Sequence, residues 1–248
     1  MKKESQGVNT LCTHAGALED RVFKGAVSPL YMSTSYAYEG VDKKRYPRYF
    51  NTPNQEALCR KVAALEHTDA ALIFGSGMAA VSTSLLAFLK KGDHLVIPRQ
   101  IYGGTYNLLV ESFGHYGIDY TFIDQVGVSD FEAALRPETK VIYLETPSNP
   151  LLAVTDLEAV GKLARSRGIT TLIDNTFASP VNQNPADFGI DVIIHSATKY
   201  MGGHSDICAG AVAGSEAHID RIFQLAKNLG GSLSDFTVWL LERSLKTM

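Results

Sequence analysis

Short apolar segments and amphipathic segments alternate along most of the chain. The apolar segments predict strands, and the spacing of apolar residues between them predicts helices. The predicted helices lie at residues 54–66, 79–90, 102–113, 156–167, 215–227 and 236–246, and we expect Asn54 to be the N-cap of the first. The predicted strands lie at residues 70–75, 94–98, 119–124, 140–145, 171–174, 192–194 and 209–214, and we expect the last of them to be antiparallel. Alternation of strands and helices is typical of a parallel sheet with right-handed crossovers. The sequence therefore predicts an α/β fold, with a mostly parallel sheet between helices.

The composition limits the classes of partner. The chain has 248 residues, 45% hydrophobic and 20% charged, which suits one large globular domain. A net charge of −3 offers no basic surface for nucleic acid, and no segment approaches the ~18 apolar residues of a membrane helix. The three cysteines are far apart and the histidines are scattered, so we expect neither a disulfide nor a metal site. We expect a cytoplasmic protein whose partner is a small molecule or another copy of itself.

Two predicted strands lead to side chains that could take part in catalysis. The strand at 192–194 leads through Ser196 and Thr198 to Lys199, and the strand at 171–174 ends in Asp174. If these strands are parallel neighbours, both side chains reach the carboxyl edge of the sheet, where open α/β sheets bind ligands. Pyridoxal phosphate (PLP) uses such a pair, because a lysine amine forms a Schiff base with it and a carboxylate keeps its ring nitrogen protonated. The alternative is that Lys199 simply reaches solvent from the end of a strand.

A glycine turn predicts an anion site. Residues 75–78 connect a short apolar strand to a helix, and the backbone amides of Gly77 and Met78 would lie at the beginning of that helix. Free amides and the helix dipole favour a phosphate there. A tight packing turn explains the same residues equally well.

Several separated motifs resemble one enzyme family. They are S-A-T-K at 196–199, G-H-S-D at 203–206 and D-N-T-F at 174–177. Together they resemble the Cys/Met metabolism family of PLP-dependent enzymes, from about Thr13 to the last residue. The resemblance implies the large domain of the fold type I PLP-dependent transferases at residues 51–248. The family continues into a small C-terminal domain that supplies an arginine for the substrate carboxylate, and we expect that domain to be absent from this chain.

The resemblance also implies roles for individual residues. Lys199, Asp174 and Tyr102 would be catalytic, with the Tyr102 ring stacked on the cofactor. All three would also bind PLP, and the further cofactor-binding residues in this chain would be Gly77, Met78, Asn149, Ser196 and Thr198. Glu145, four residues before Asn149, is a further candidate.

Residues 1–50 have little helical periodicity and are rich in turn formers and tyrosines. A long irregular segment of this kind is typical of an arm that packs on another surface. The family resemblance implies that Tyr46 and Arg48 bind the cofactor phosphate of a neighbouring subunit. We therefore expect a homo-oligomer, either a dimer or a dimer of dimers. The alternative for Arg48 is an exposed arginine without a partner.

The resemblance implies an activity on sulfur amino acids. We expect β- or γ-elimination, or γ-replacement, of the cystathionine γ-synthase, γ-lyase or β-lyase type. An O-acetylhomoserine sulfhydrylase or a methionine γ-lyase is an alternative, but methionine γ-lyases characteristically carry cysteine where this chain has Gly104. Another alternative is a truncated PLP-binding protein with little turnover. A Ser-His-Asp hydrolase is disfavoured, because the chain has no G-x-S-x-G motif.

Overall fold

A computed structural model describes residues 6–248. The first five residues, which belong to the predicted arm, lie outside the described residues. The strands are β1 (Ala70–Phe74), β2 (His94–Pro98), β3 (Asp119–Ile123), β4 (Thr139–Glu145), β5 (Thr170–Asp174), β6 (Val192–His195) and β7 (Gly210–Gly214). The helices are α1 (Val8–His14), α2 (Pro53–Leu65), α3 (Gly77–Phe88), α4 (Gly103–Leu108), α5 (Gly114–Tyr116), α6 (Val128–Ala134), α7 (Leu157–Ser166), α8 (Ser179–Asn182), α9 (Glu216–Leu229) and α10 (Asp235–Ser244). Short 3-10 turns lie at Pro47–Tyr49, Pro185–Phe188 and Leu245–Thr247, and a π-helical turn at Leu109–Phe113 joins α4 to α5.

The strands form one seven-stranded sheet in the order β1-β7-β6-β5-β4-β2-β3. All neighbouring pairs from β6 to β3 are parallel, whereas β7 is antiparallel to both β1 and β6. The predicted α/β fold is confirmed, and so is the antiparallel direction of the strand near residues 209–214. Because β5 and β6 are parallel neighbours, Asp174 lies in register with Ile194, five residues before Lys199.

The central strands are buried on both faces, which explains why their sequences are continuously apolar. β2 and β6 are buried at every position. One apolar cluster covers one face of the sheet and contains residues of α2, α7 and α10, while the second contains residues of α3 and α9. Helices on both sides therefore hold the sheet rigidly, so the strand ends that form its carboxyl edge have fixed positions.

Two local predictions were wrong. The segment before residue 50 contains helix α1, whose Cys12 is buried and whose carbonyl accepts a hydrogen bond from the Lys61 ammonium at 2.8 Å. Helix α2 is capped by Thr52 rather than by Asn54, since Thr52 and Gln55 form a reciprocal capping box. Asn54 instead bonds the main chain of the preceding segment, at Tyr31 and Pro29.

Residues 17–46 contain no helix or strand, and many of their apolar side chains are exposed. Val22, Phe23 and Met32 have relative exposures of 78%, 87% and 71%. The segment is nevertheless attached to α10, because the Trp239 indole donates to the Ser28 carbonyl and the Ser28 hydroxyl donates to Glu242. Within residues 6–248, no helix has the length and apolar character needed to cross a membrane.

Candidate active site

A cavity of about 820 Å³ opens at the carboxyl ends of the central strands. We call it the central cavity. It is lined by residues that follow β1, β2, β4, β5 and β6, as open α/β sheets predict for a ligand site. Every residue predicted in or near this edge contributes to its wall: Gly77, Met78, Tyr102, Asn149, Asp174, Ser196, Thr198 and Lys199, together with Glu145.

Asp174 and Lys199 lie on adjoining sides of the central cavity. Asp174 is the last residue of β5 and is only 8% exposed, whereas Lys199 lies in the turn after β6 and is exposed. Thr176 links the two strand ends: its amide donates to Asp174 Oδ1 at 3.0 Å, and its hydroxyl accepts from the Ser196 amide at 2.7 Å. The Thr198 hydroxyl bonds the main chain of Ala209, so the turn that carries Lys199 is fixed to the residue that precedes β7.

The beginning of α3 forms another part of the wall. The Ser76 hydroxyl accepts from the Ala79 amide at 3.0 Å, which leaves the earlier amides of Gly77 and Met78 as the first donors of the helix. A side chain at Gly77 would place its Cβ 2.8 Å from the Ser196 Cβ. Glycine is therefore required for the two walls to approach this closely.

Tyr102 and Asn149 are held by one carboxylate. Tyr102 precedes α4, and its amide donates to Glu145 Oε2 at 2.6 Å, while the Asn149 amide donates to Glu145 Oε1 at 2.9 Å. The Tyr102 ring lies against Gly104, where an added Cβ would be 2.6 Å from the ring Cε1 atom.

The floor of the central cavity is acidic. Glu145 and Asp174 are partners in register on β4 and β5. Burial, and next the negative charge of Asp174, raise the pKa of Glu145 to about 7. Burial also raises the pKa of Asp174, although hydrogen bonds from Thr176 act in the opposite direction. Burial followed by both carboxylates raises the pKa of the Tyr143 phenol, which lies on β4. The floor is thus prepared for a positively charged or hydrogen-bond-donating group.

Tyr46 and Arg48 lie outside the central cavity of their own chain. The Arg48 guanidinium donates to the Lys227 carbonyl and lies 5.4 Å and 5.2 Å from the ring centroids of Tyr46 and Tyr49. Both Tyr46 and Arg48 are exposed. The structure therefore does not bring these two residues together with Lys199 and Asp174 within one chain.

A buried polar cluster behind the central cavity was missed by the sequence analysis. It consists of Glu66, Asn175, Gln183 and His195. Glu66 Oε1 accepts from His195 Nε2 and, at 3.0 Å, from Asn175 Nδ2, while Gln183 Nε2 donates to Asn175 Oδ1 at 2.9 Å. Asn175 and His195 directly adjoin Asp174 and Ser196. Alternation along β6 could predict that His195 faces away from the cavity, but its partner is 129 residues distant.

Comparison with known proteins agrees with this geometry. The model of the family described as "Cys/Met metabolism PLP-dependent enzyme" matches residues 9–248. A probable cystathionine gamma-synthase of Herpetosiphon aurantiacus is 40% identical over 98% of this chain and 76% of its own length. A cystathionine beta-lyase of Bacillus subtilis is 39% identical over 90% of this chain and 58% of its own length.

Solved structures show the same fold. The cystathionine gamma-lyase of Lactobacillus plantarum, solved with L-serine, superposes with a TM-score of 0.92 and 37% identity over 98% of this chain and 64% of that one. The chain thus spans between 58% and 76% of the lengths of these relatives. Since the family model covers residues 9–248 and all the predicted site residues except Tyr46 and Arg48 share one cavity, this chain belongs to the Cys/Met metabolism family of PLP-dependent enzymes.

Proposed function

We propose that the central cavity binds PLP on Lys199 and that the protein acts on sulfur amino acids at the β or γ carbon. The observation that carries this proposal is the convergence of Lys199, the buried Asp174 carboxylate and the beginning of α3 on one cavity. Each of the three matches a different part of the cofactor: aldehyde, ring nitrogen and phosphate.

The residues of the cavity fit the chemistry of that group. A protonated ring nitrogen would relieve the cost of burying Asp174 beside Glu145. The phosphate would accept hydrogen bonds from the amides of Gly77 and Met78. Because Gly77 has no side chain, Ser196 can lie close to these amides. The Tyr102 ring, packed against Gly104, supplies an aromatic face on the rim.

When bound, PLP supplies an electron sink that stabilises negative charge on the substrate's α carbon. The chain's own residues would do the rest. The Asp174 carboxylate keeps the ring nitrogen protonated, and Tyr102 orients the ring. Lys199 Nζ, once free, accepts a proton from a substrate carbon and returns it, as a general base and acid. Thr176 fixes Asp174 relative to the turn that carries Lys199.

The proposed substrates are cystathionine, cysteine, homocysteine or an O-acylhomoserine. This class follows from relatives named cystathionine gamma-synthase, beta-lyase and gamma-lyase. An O-acetylhomoserine sulfhydrylase uses the same class of substrate and remains the alternative. A methionine γ-lyase is disfavoured, because this chain has Gly104 where those enzymes characteristically carry cysteine. Assembly into a homo-oligomer and a cytoplasmic location stay predictions.

The cofactor site is tested by borohydride reduction of the PLP-loaded protein. We expect the reduced cofactor to be attached to Lys199, and Lys199→Ala to abolish the adduct. Lys162→Ala is the matched control, since Lys162 is an exposed lysine of α7 paired with Glu158 at 2.6 Å. An adduct mapped to another lysine would contradict the proposal.

The activity is tested separately, at full cofactor occupancy. Release of pyruvate or 2-oxobutanoate, together with cysteine or homocysteine, from cystathionine would show elimination. Formation of cystathionine from cysteine and an O-acylhomoserine would show replacement. Full occupancy without turnover of either kind would instead support the alternative of a cofactor-binding protein with little activity.

A further inference from the structure

Glu145 occupies an unusual position between two segments of the cavity rim. It is the last residue of β4, it is 6% exposed, and each of its carboxylate oxygens accepts one backbone amide. Oε2 accepts from Tyr102, which follows β2 in the chain, and Oε1 accepts from Asn149, which follows β4. One side chain therefore joins two separate rim segments.

Both rim segments need such a connection. Tyr102 and Asn149 are exposed, and α4 has no side-chain cap at its N-terminal end. Two glycines follow Tyr102, so the local backbone has little intrinsic rigidity. Hydrogen bonds from an amide to a carboxylate are stronger than those to a neutral carbonyl. Glu145 thus provides the strongest polar contact that these two residues make with the sheet.

Ionisation of Glu145 at this buried position costs free energy. It lies in register with Asp174, and the buried phenol of Tyr143 is the next titratable group on the same strand face. A second buried carboxylate beside Asp174 opposes ionisation of both. A glutamine would avoid this repulsion, but it would offer an oxygen to only one of the two amides and an NH₂ group to the other.

We propose that Glu145 is a positioning residue, which ties the main chains of Tyr102 and Asn149 to the end of β4 and so fixes the Tyr102 ring against the bound cofactor. This inference rests on the proposed binding of PLP to the central cavity. It assigns no contact between Glu145 and the reacting atoms.

The test compares Glu145→Gln with Asp191→Asn in the full PLP-loaded protein. In Glu145→Gln one of the two carboxylate oxygens becomes an NH₂ group, so the backbone amide that donated to that oxygen would face another donor. Asp191 is a matched control, because it also accepts a backbone amide, that of Thr171 at 2.8 Å, but precedes β6 at the opposite edge of the sheet. The readouts are the visible circular dichroism of the bound cofactor, which reports its orientation, and the dissociation constant for PLP.

We expect Glu145→Gln to change the visible dichroism and to weaken PLP binding about tenfold, which corresponds to ~1.4 kcal/mol. Asp191→Asn should change neither. Glu145→Asp keeps the charge but cannot span both amides, so it should resemble Glu145→Gln rather than the wild type. Unchanged dichroism and affinity in a folded Glu145→Gln protein would overturn the inference.

Two further outcomes are distinguishable. If wild-type protein does not attach PLP to Lys199, the proposed function fails, whatever Glu145 does. If Glu145→Gln does not fold, amide hydrogen exchange on the wild-type protein tests whether Glu145 holds the two rim segments. The amides of Tyr102 and Asn149 should then be protected from exchange despite their exposed side chains, and rapid exchange of both would overturn the inference.

Discussion

At the scale of single residues, the pair of Glu145 and Asp174 should make stability depend on pH. The pKa of Glu145 is raised to about 7, first by burial and then by Asp174. A carboxyl group whose pKa is higher in the folded state binds more protons there than in the unfolded chain. Its stabilising contribution is therefore fully present below its unfolded pKa of ~4.3 and is lost as the pH rises through about 7.

We expect the cofactor-free protein to lose on the order of 2 kcal/mol of unfolding free energy through Glu145 between pH 5 and pH 8. Glu145→Gln has no proton to lose, so its stability should fall less over the same interval. Urea unfolding of both proteins at the two pH values measures the difference. Equal changes in the two proteins would show that Glu145 does not titrate in this range.

The residues that line the central cavity differ in how well the sequence predicts their positions. Asp174 and Lys199 could be found because each lies at or shortly after the end of a recognisable apolar strand. Gly77 could be found because a strand, a glycine turn and a helix are consecutive in the chain. Thr176 and the double contact of Glu145 could not be assigned from the sequence alone, since both depend on the register between neighbouring strands. Register is set by packing over the whole sheet.

At the scale of elements, the polar cluster of Glu66, Asn175, Gln183 and His195 connects α2 to the ends of β5 and β6. Glu66 is the C-cap residue of α2 and is fully buried, and His195 is 1% exposed. Removing one partner of a buried pair is expensive, because it leaves the other polar group without compensation. The cluster therefore fixes the two strand ends that carry Asp174 and Ser196 relative to the helix layer.

Glu66→Gln should lower the free energy of unfolding by about 1 to 3 kcal/mol, since it weakens the acceptor of two buried hydrogen bonds and places an NH₂ group where buried Oε2 has no partner. The control is Glu158→Gln, the same substitution in an exposed ion pair with Lys162 on α7, which should cost less than about 0.5 kcal/mol. Urea unfolding measures both. A cost for Glu66→Gln no larger than that of the control would show that the buried cluster adds little.

Elements themselves were predicted well where their pattern is local. The strands of the parallel sheet and the long amphipathic helices lie within a few residues of their expected bounds. Helix α1 was missed because it is only seven residues long and Cys12 is its single buried residue. The predicted N-cap of α2 was Asn54, but the cap is Thr52. Both residue types suit an N-cap, and the Asn54 side chain instead accepts a hydrogen bond from Tyr31.

At the scale of the whole molecule, the segment before α2 has features of an interface. It carries exposed apolar side chains such as Val22, Phe23 and Met32, and it ends near Arg48, which lies outside the central cavity of its own chain. We predict that this segment packs on a second copy, and that Arg48 binds the phosphate in the central cavity of that copy. Each active site would then need residues from two chains.

Mixing two variants, one that cannot attach PLP and one that holds its phosphate more weakly, tests this prediction directly. Lys199→Ala removes the attachment point for PLP, and Arg48→Ala should weaken the hold on its phosphate by about 1.5 to 3 kcal/mol, the range for a charged hydrogen bond. In a symmetric dimer of one chain of each kind, one site regains both residues and the other loses both. The two variants are unfolded together in equal amounts and refolded. PLP is then added at a concentration that fills a site with both residues but leaves a site without Arg48 largely empty, and borohydride should label about a quarter of the sites. Each variant refolded alone provides the control. Labelling of the mixture no higher than the average of the two variants alone would show that Arg48 serves no neighbouring site.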